Sequence, residues 1–315
     1  MILRPGLCPG LTPEAVALLR GQGIQTVVDL VSSDLEALAQ RCSLSFKSLS
    51  SARRLLLARF SSFPANGADL FEELQKGSAI LNTGINSLDR LLDSGLYTGE
   101  ITEFVGAPGS GKTQICLAIA AHTALILKQE VLYIDSSGGF SAARLLQMLQ
   151  RMTGNEEEQT EALQRIHVNR VFEAYKMLDS LQDLRSTLAQ QAMNGCGSAK
   201  VLVVDSMWAP LSPLLGGRSP DGMALMSHLA LELKTLAKDF GVALVLTNAV
   251  TRDPSSGCPR AALGRSWASV PNTRILLEKD GSGKGQKEWR ASLMKSPRQP
   301  IGIQVEIEED GREGP

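Results

Sequence analysis

Aromatic residues are scarce: three tryptophans, three tyrosines and eight phenylalanines in 315 residues. A surface that stacks nucleic-acid bases on aromatic rings has little to draw on, so phosphate contacts are the better expectation for any such ligand. An excess of charge of one sign is also lacking. The 32 basic and 33 acidic residues leave a net charge of −1, so no overall field draws the chain to nucleic acid, and contacts must come from local basic patches. The five cysteines, Cys8, Cys42, Cys116, Cys196 and Cys258, form no Cys-x-x-Cys pair. Neither a zinc site nor a redox motif is signalled, and the set fits reduced thiols inside a cell. His122, His167 and His228 lie far apart, so a His/Cys metal cluster is not expected. No run of about 18 apolar residues exists, which predicts no membrane span. The first residues lack the charged and apolar regions of a secretory leader. What is present is a 43% hydrophobic fraction, enough for a core, in a length that allows one large domain and a small one.

Residues 1–60 read as a small all-α domain. Thr12-Pro13-Glu14 is a helix start: a capping hydroxyl, a proline in the first turn and an acid at the positive helix end. Gly21 and Gly23 end that helix. Ser33-Asp34-Leu35-Glu36 has the spacing of a capping box between Ser33 and Glu36. A third helix is predicted from Ser45 through Leu55-Leu56-Leu57 to Phe60. Residues 61–80 read as a linker, because Ser61-Ser62-Phe63-Pro64-Ala65-Asn66-Gly67 is rich in helix and strand breakers, with a short helical piece from Asp69 to Leu74. Residues 81–315 change character. Apolar, β-branched runs at Ile101–Val105, Val131–Asp135, His167–Val171, Val201–Asp205, Val242–Thr247 and Arg274–Glu278 alternate with helical patterns. That alternation predicts an α/β domain whose mainly parallel sheet is covered on both faces. Trp289–Lys295 and Ile301–Ile307 are expected as antiparallel edge strands, joined to the core by a loop at Gly281–Gly285.

Gly106-Ala107-Pro108-Gly109-Ser110-Gly111-Lys112-Thr113 spells Gly-x-x-x-x-Gly-Lys-Thr between a predicted strand and a predicted helix, the context this motif requires. Its glycines let backbone N–H groups converge on phosphate oxygens. Lys112 is placed to reach the β- and γ-phosphates and the Thr113 hydroxyl to bind Mg²⁺. The positive end of the following helix adds to the site. Val201-Leu202-Val203-Val204-Asp205 is a buried strand ending in a carboxylate, where Asp205 can hold the Mg²⁺ shell. ATP and Mg²⁺ are the ligands this pattern predicts.

Thr83-Gly84-Ile85-Asn86-Ser87-Leu88-Asp89-Arg90-Leu91-Leu92, Gly95 and Gly99-Glu100-Ile101-Thr102-Glu103 lead into the loop and Gln114. Together with Tyr133-Ile134-Asp135 and Val242–Asn248, this closely resembles the RecA-type recombinase family. The small helical module and the Phe-containing linker resemble its eukaryotic branch. Leu7-Cys8-Pro9-Gly10-Leu11 and Ala262-Leu263-Gly264-Arg265-Ser266-Trp267 are most similar to the D-type paralogue branch. The resemblance implies a RecA-like P-loop ATPase core, a nuclear place in homologous recombination, and related paralogue subunits as hetero-oligomeric partners. Arg144 matches the family arginine that lies on adenine.

Two departures from the family bear on function. Where active members carry a glutamate that positions the attacking water, this chain has Ser137, in Asp135-Ser136-Ser137-Gly138. Where they carry a glutamine that senses γ-phosphate, Ala249 follows Thr247-Asn248. The site is expected to bind MgATP without its usual general base, with Glu103 as a candidate substitute. For single-stranded or branched DNA, Arg53, Arg54 and Arg59 lie in a stretch of residues 41–68 with other basic residues and no acid. Trp208–Asp221, with Arg218, and Thr251–Ser266, with Arg252, Arg260 and Arg265, match the family's DNA-facing loops and are expected to be mobile. Phe63 is the candidate partner-docking anchor, although Asn66 breaks the homotypic Phe-x-x-Ala pattern. The expected function is a recombination mediator that binds ATP and hydrolyses it weakly. A filament-forming, DNA-stimulated ATPase and a metabolic P-loop kinase are the competing readings.

Overall fold

The computed structural model describes residues 3–60, 66–68, 70–72, 78–193, 199–215, 221–252, 257, 259–279 and 288–308. Phe63, Asp69, Leu74, Arg218 and the loop at Gly281–Gly285 lie outside the described residues, as does the side chain of Arg59. The chain divides into two compact units, residues 1–73 and 74–315.

Along residues 3–60 the first unit forms the helices α1 Pro13–Gly21, α2 Val27–Ser32, α3 Leu35–Cys42 and α4 Phe46–Phe60. Thr12 caps α1 as expected, its hydroxyl accepting from the Ala15 N–H at 3.2 Å. Two features depart from the sequence reading. Helix α2 has no counterpart there, because its six residues are too few to show a period. The capping box stands at Thr26 and Asp29, where each side chain accepts the other residue's backbone N–H. Ser33 does not cap α3. Its hydroxyl donates back to the Asp29 carbonyl, and Asp34 caps α3 by accepting from the Glu36 N–H at 3.0 Å. A carboxylate one residue closer to the helix takes the role, since Asp is as good a cap as Ser. Leu19, Leu30, Leu38, Leu49 and Leu56 fill this unit's own core.

In the second unit, β1 (Ile80–Leu81) and β2 (Leu96–Tyr97) form a small antiparallel pair. The main sheet has eight strands. They are β3 Ile101–Gly106, β4 Val131–Asp135, β5 Ile166–Arg170, β6 Val201–Asp205, β7 Ala243–Asn248, β10 Thr273–Lys279, β11 Glu288–Lys295 and β12 Gln304–Glu308. Their order is β12-β11-β10-β3-β7-β6-β4-β5, with β8 Val250–Arg252 and β9 Pro259–Ala261 paired separately. The six strands from β10 to β5 run parallel, and β11 and β12 are antiparallel. The last strand starts at Gln304 rather than at Ile301, because Ile301 and Gly302 form the turn. Alternation within the apolar runs fills both faces: Val201, Val203 and Val245 pack on one side, and Leu202, Val204 and Leu246 on the other. This arrangement brings the C-terminal ends of β3, β4, β6 and β7 together, where an open α/β sheet forms its ligand crevice.

Candidate nucleotide-binding site

The loop 106–111 runs from β3 into the helix Lys112–Leu125. Gly109 and Gly111 adopt φ of 78° and 89°, the left-handed region that glycine enters without strain. A Cβ on Gly106 would stand 2.2 Å from the Ser110 hydroxyl and 2.6 Å from the Leu277 carbonyl, so only glycine fits there. The helix begins at Lys112, and its first N–H groups face the loop. Lys112 Nζ donates to the carbonyls of Gly106 at 2.7 Å and Ala107 at 2.9 Å, which holds the ammonium over the loop. Burial lowers its pKa, and the Asp205 carboxylate opposes that shift.

Thr113 and Asp205 meet across 92 residues of chain. The Thr113 hydroxyl donates to Asp205 Oδ2 at 2.6 Å, so the two oxygens are within shared reach of one hard cation. Asp205 is 2% exposed and takes two further hydroxyls, Thr247 at 2.5 Å and Tyr133 at 3.2 Å. Burial and these negative neighbours push the Tyr133 phenol far up, so it serves as a neutral donor. Cys116, fully buried one turn along the helix, has its thiol pushed well up by burial and is inert. The glycine cradle, the cation, the hydroxyl and the carboxylate fit a nucleoside triphosphate with Mg²⁺. Lys112 and the loop N–H groups would hold the phosphates, and Thr113 and Asp205 the metal.

The turn after β4 closes over Thr113. Asp135 organises it, accepting the N–H groups of Ser137, Gly138 and Gly139 on Oδ1 and of Phe140 on Oδ2. A Cβ on Gly139 would lie 3.5 Å from Thr113 Oγ1, so Ser137 is carried to the phosphate side of the sheet. Its hydroxyl lies 3.5 Å from Asp135 Oδ1 and 3.4 Å from the Asp205 carbonyl, an exposed and weakly held group. Ala249 follows Asn248 at the end of β7, and its N–H donates to Asn248 Oδ1 at 2.8 Å.

Glu103 does not take the place of the missing base. It is fully buried, and its carboxylate accepts from Asn248 Nδ2 at 2.9 Å, Trp267 Nε1 at 2.8 Å and Arg274 Nε at 2.5 Å. A carboxylate so engaged inside the sheet has no path to a water at the phosphates. It joins both ends of the segment between Asn248 and Trp267, a structural part that spacing alone does not reveal. Trp267 is 1% exposed and anchors the core.

Arg144 stands near the front of the helix Ala142–Met152. Its Nε donates to Gln114 Oε1 at 2.9 Å, immediately after Thr113, which places the guanidinium beside the phosphate loop. Arg53 is half-buried and Arg54 exposed on α4. Arg54 shares the solvent face with Lys47, seven residues earlier. Arg252 and Arg260 lie on opposite strands of a hairpin in register Thr251↔Arg260 and Arg252↔Pro259. Directly paired residues share a face, so these two arginines point to opposite faces. Arg265 is exposed in the short helix Gly264–Trp267. The segment expected as a mobile loop from Trp208 begins instead as the helix Trp208–Leu215, and Trp208 packs against the core. The proline and the small residues there signal a loop, but the apolar run Trp208–Leu215 buries one side. Among the described residues, no group of three or more His, Cys, Asp and Glu is arranged to hold a metal, and no helix is long and apolar enough to cross a membrane.

Comparison with known proteins accounts for both units. Residues 1–59 match the family model described as RAD51D, N-terminal domain, and residues 75–311 match that described as Rad51. The chain is 58% identical over 308 residues to the DNA repair protein RAD51 homolog 4 of Bos taurus, covering 98% of this chain and 94% of that one. It is 58% identical over 309 residues to its counterpart in Mus musculus, with the same coverage. With the DNA repair protein RAD51 homolog 2 of Homo sapiens it shares 27% identity over 271 residues, 74% of this chain and 68% of that one. Similarity weakens toward that paralogue, while the likeness to RAD51 homolog 4 holds along nearly the whole chain. The P-loop domain and its helical preface therefore belong together, and the chain belongs to the Rad51 family, with an N-terminal domain of the RAD51D kind.

Proposed function

We propose that this chain is a nuclear, ATP-binding mediator of homologous recombination, acting within a hetero-oligomer of related paralogue subunits. In this reading it binds single-stranded or branched DNA and assists recombinase filament assembly. One observation carries it: a complete phosphate and metal cradle at Gly106–Thr113 and Asp205 stands beside Ser137 and Ala249, neither of which has the chemistry for turnover or for sensing γ-phosphate. A site that holds a nucleotide without consuming it suits a subunit contact. The relatives at 58% identity are DNA repair proteins by name, which supports the biological setting.

Two further features support assembly with a partner. Strand β5 is an edge of the main sheet, with His167, Val168, Asn169 and Arg170 exposed, and a groove lies between it and the helix Ala174–Met193. An extended linker of a neighbour adds to such an edge as one more strand. The chain's own linker offers Phe63 for the reciprocal contact, as an apolar anchor in a neighbour's pocket. Phe63→Glu is expected to release one partner subunit, with the circular dichroism of the purified chain unchanged. Size-exclusion chromatography of complexes purified from cells tests this, and identical subunit composition for wild type and variant would refute it.

DNA contact rests on the α4 arginines. Replacing Arg53, Arg54 and Arg59 together by alanine is expected to weaken single-strand binding and to flatten its salt dependence. The slope of log affinity against log salt should fall by about 0.7 for each phosphate that is no longer neutralised. Titrations between low and moderate salt read this directly, and an unchanged slope would reduce these arginines to a solvated helix face.

A further inference from the structure

We propose that Ser296 is a phosphorylation site for a proline-directed protein kinase, and that its phosphate draws Arg298 away from Glu100. The sequence has four serines or threonines followed by proline: Thr12, Ser212, Ser219 and Ser296. A kinase that reads this pair needs the segment accessible and free of regular structure. Ser212 lies within the helix Trp208–Leu215, where its hydroxyl donates to the Ala209 carbonyl at 3.2 Å. Pro13 is the first residue of α1, so reading Thr12 means opening that helix. Ser219 lies outside the described residues. Ser296 stands in the irregular stretch 296–303 between β11 and β12, half-buried, with Pro297, Arg298 and Pro300 exposed. Charge sets it apart as well. Two positions beyond the four hydroxyls stand Glu14, Leu214, Asp221 and Arg298 in turn, so only Ser296 has a cation there to meet a phosphate.

The loop is already folded around the Ser296 oxygen. Ser296 Oγ accepts the backbone N–H groups of Arg298 and Gln299, each at 3.1 Å. Lys295 Nζ donates to the Ala268 and Pro271 carbonyls at 3.0 and 2.6 Å, which holds the end of β11 behind the loop. Arg298 straps the loop to the residues before β3. Its guanidinium lies 3.4 Å from the centre of the Tyr97 ring, and Nη1 and Nη2 each donate to one Glu100 oxygen, Nη1 at 3.0 Å. In the transfer, a bond forms between Ser296 Oγ and the γ-phosphorus of the kinase's ATP. The terminal phosphoanhydride bond breaks, ADP leaves, and the hydroxyl proton passes to the kinase's base. The new group carries a charge of about −1.5 to −2 at pH 7. It stands at two N–H donors and beside a guanidinium, and it is a stronger bidentate partner for that guanidinium than a singly charged carboxylate. The same charge repels Glu100. Arg298 therefore turns to the phosphate, and the strap at the entry to β3 is released.

The test treats the full chain with MgATP and a proline-directed serine/threonine kinase, and locates the phosphate by tandem mass spectrometry. Ser296 is expected to carry it. Ser296→Ala should lose it, and so should Pro297→Ala, which keeps the hydroxyl and removes only the recognition. A chain left unmodified, or modified at Thr12, Ser212 or Ser219 and not at Ser296, would overturn the proposal. Hydrogen exchange then reads the strap in the wild-type chain. The N–H groups of Thr98, Gly99 and Glu100 are bonded to the carbonyls of Ala79, Val242 and Tyr97. They should exchange about 1.4- to 5-fold faster after phosphorylation, the range that follows from losing one exposed ion pair. Glu100→Gln should show the same rise without phosphate. In Arg298→Ala, which has no strap to release, phosphorylation should add nothing. Unchanged exchange in the phosphorylated wild type, or an equal rise on phosphorylation of Arg298→Ala, would overturn the transfer of Arg298 from Glu100 to the phosphate.

Discussion

Glu103→Ala is expected to destabilise the second unit by about 3–5 kcal/mol, the cost of removing one partner from a buried ion pair. The Glu103 side chain is 0% exposed and that of Arg274 11%. Arg274 Nη2 already lacks a hydrogen-bond partner, so the alanine variant would leave an entire guanidinium inside the sheet without a counter-charge. Asn248 and Trp267 lose their acceptor in the same step, which adds two unsatisfied buried donors. Glu103→Gln keeps an acceptor for them but not the charge, and should fall between wild type and alanine. Replacing both members, as in Glu103→Leu with Arg274→Met, should cost less than Glu103→Ala, because no charge is left stranded. Urea unfolding of the four proteins measures this. A loss below about 1 kcal/mol for Glu103→Ala, the scale of an exposed pair, would show that the network is not structural.

The same residue marks how far the sequence can be read. Much that is governed by neighbours along the chain is legible. The phosphate loop announces itself through glycines whose backbone angles the structure shows to be required, at Gly109 and Gly111. Asp205 follows from a short apolar run with a carboxylate at its end, and the parallel strands other than the edge strand β5 follow from their apolar runs. The contacts at the site that escape depend on pairs distant in sequence. Glu103 meets Asn248 145 residues away and Arg274 171 residues away, and no local pattern encodes either contact. Trp289 touches Gly111 only because β11 folds back beside β10. The hairpin Val250–Arg252 with Pro259–Ala261 is too short for alternation to show, so its arginines look like one patch in the sequence when they face apart. At the helix starts, the competition between Ser33 and Asp34 is settled by the bond from the Ser33 hydroxyl to Asp29, which spacing rules do not include.

Phosphate release by the isolated chain is expected to be slow and little stimulated by DNA, about 10²–10⁴-fold below an enzyme with a positioned general base. Turnover requires the phosphates held, the metal placed and the water aligned. Lys112 and the loop are placed to meet the first requirement, and Thr113 with Asp205 to meet the second. The third has no residue to meet it. The Ser137 hydroxyl is neither charged nor appreciably basic at neutral pH. Asp135, two residues earlier, is buried and holds the turn through the N–H groups of Ser137, Gly138, Gly139 and Phe140. Glu103 is committed to Asn248, Trp267 and Arg274. Asp205 is taken up by the hydroxyls of Thr113, Thr247 and Tyr133. At Ala249 there is no side-chain amide to carry a signal to the hairpin at Val250–Ala261. A neighbouring subunit lending a carboxylate in trans would raise the rate of the complex, so the expectation concerns the purified chain alone. Steady-state phosphate release measures it, with Lys112→Ala as the control for contaminating activity. Fast, DNA-stimulated release that disappears in Lys112→Ala would replace the mediator with a filament-forming ATPase.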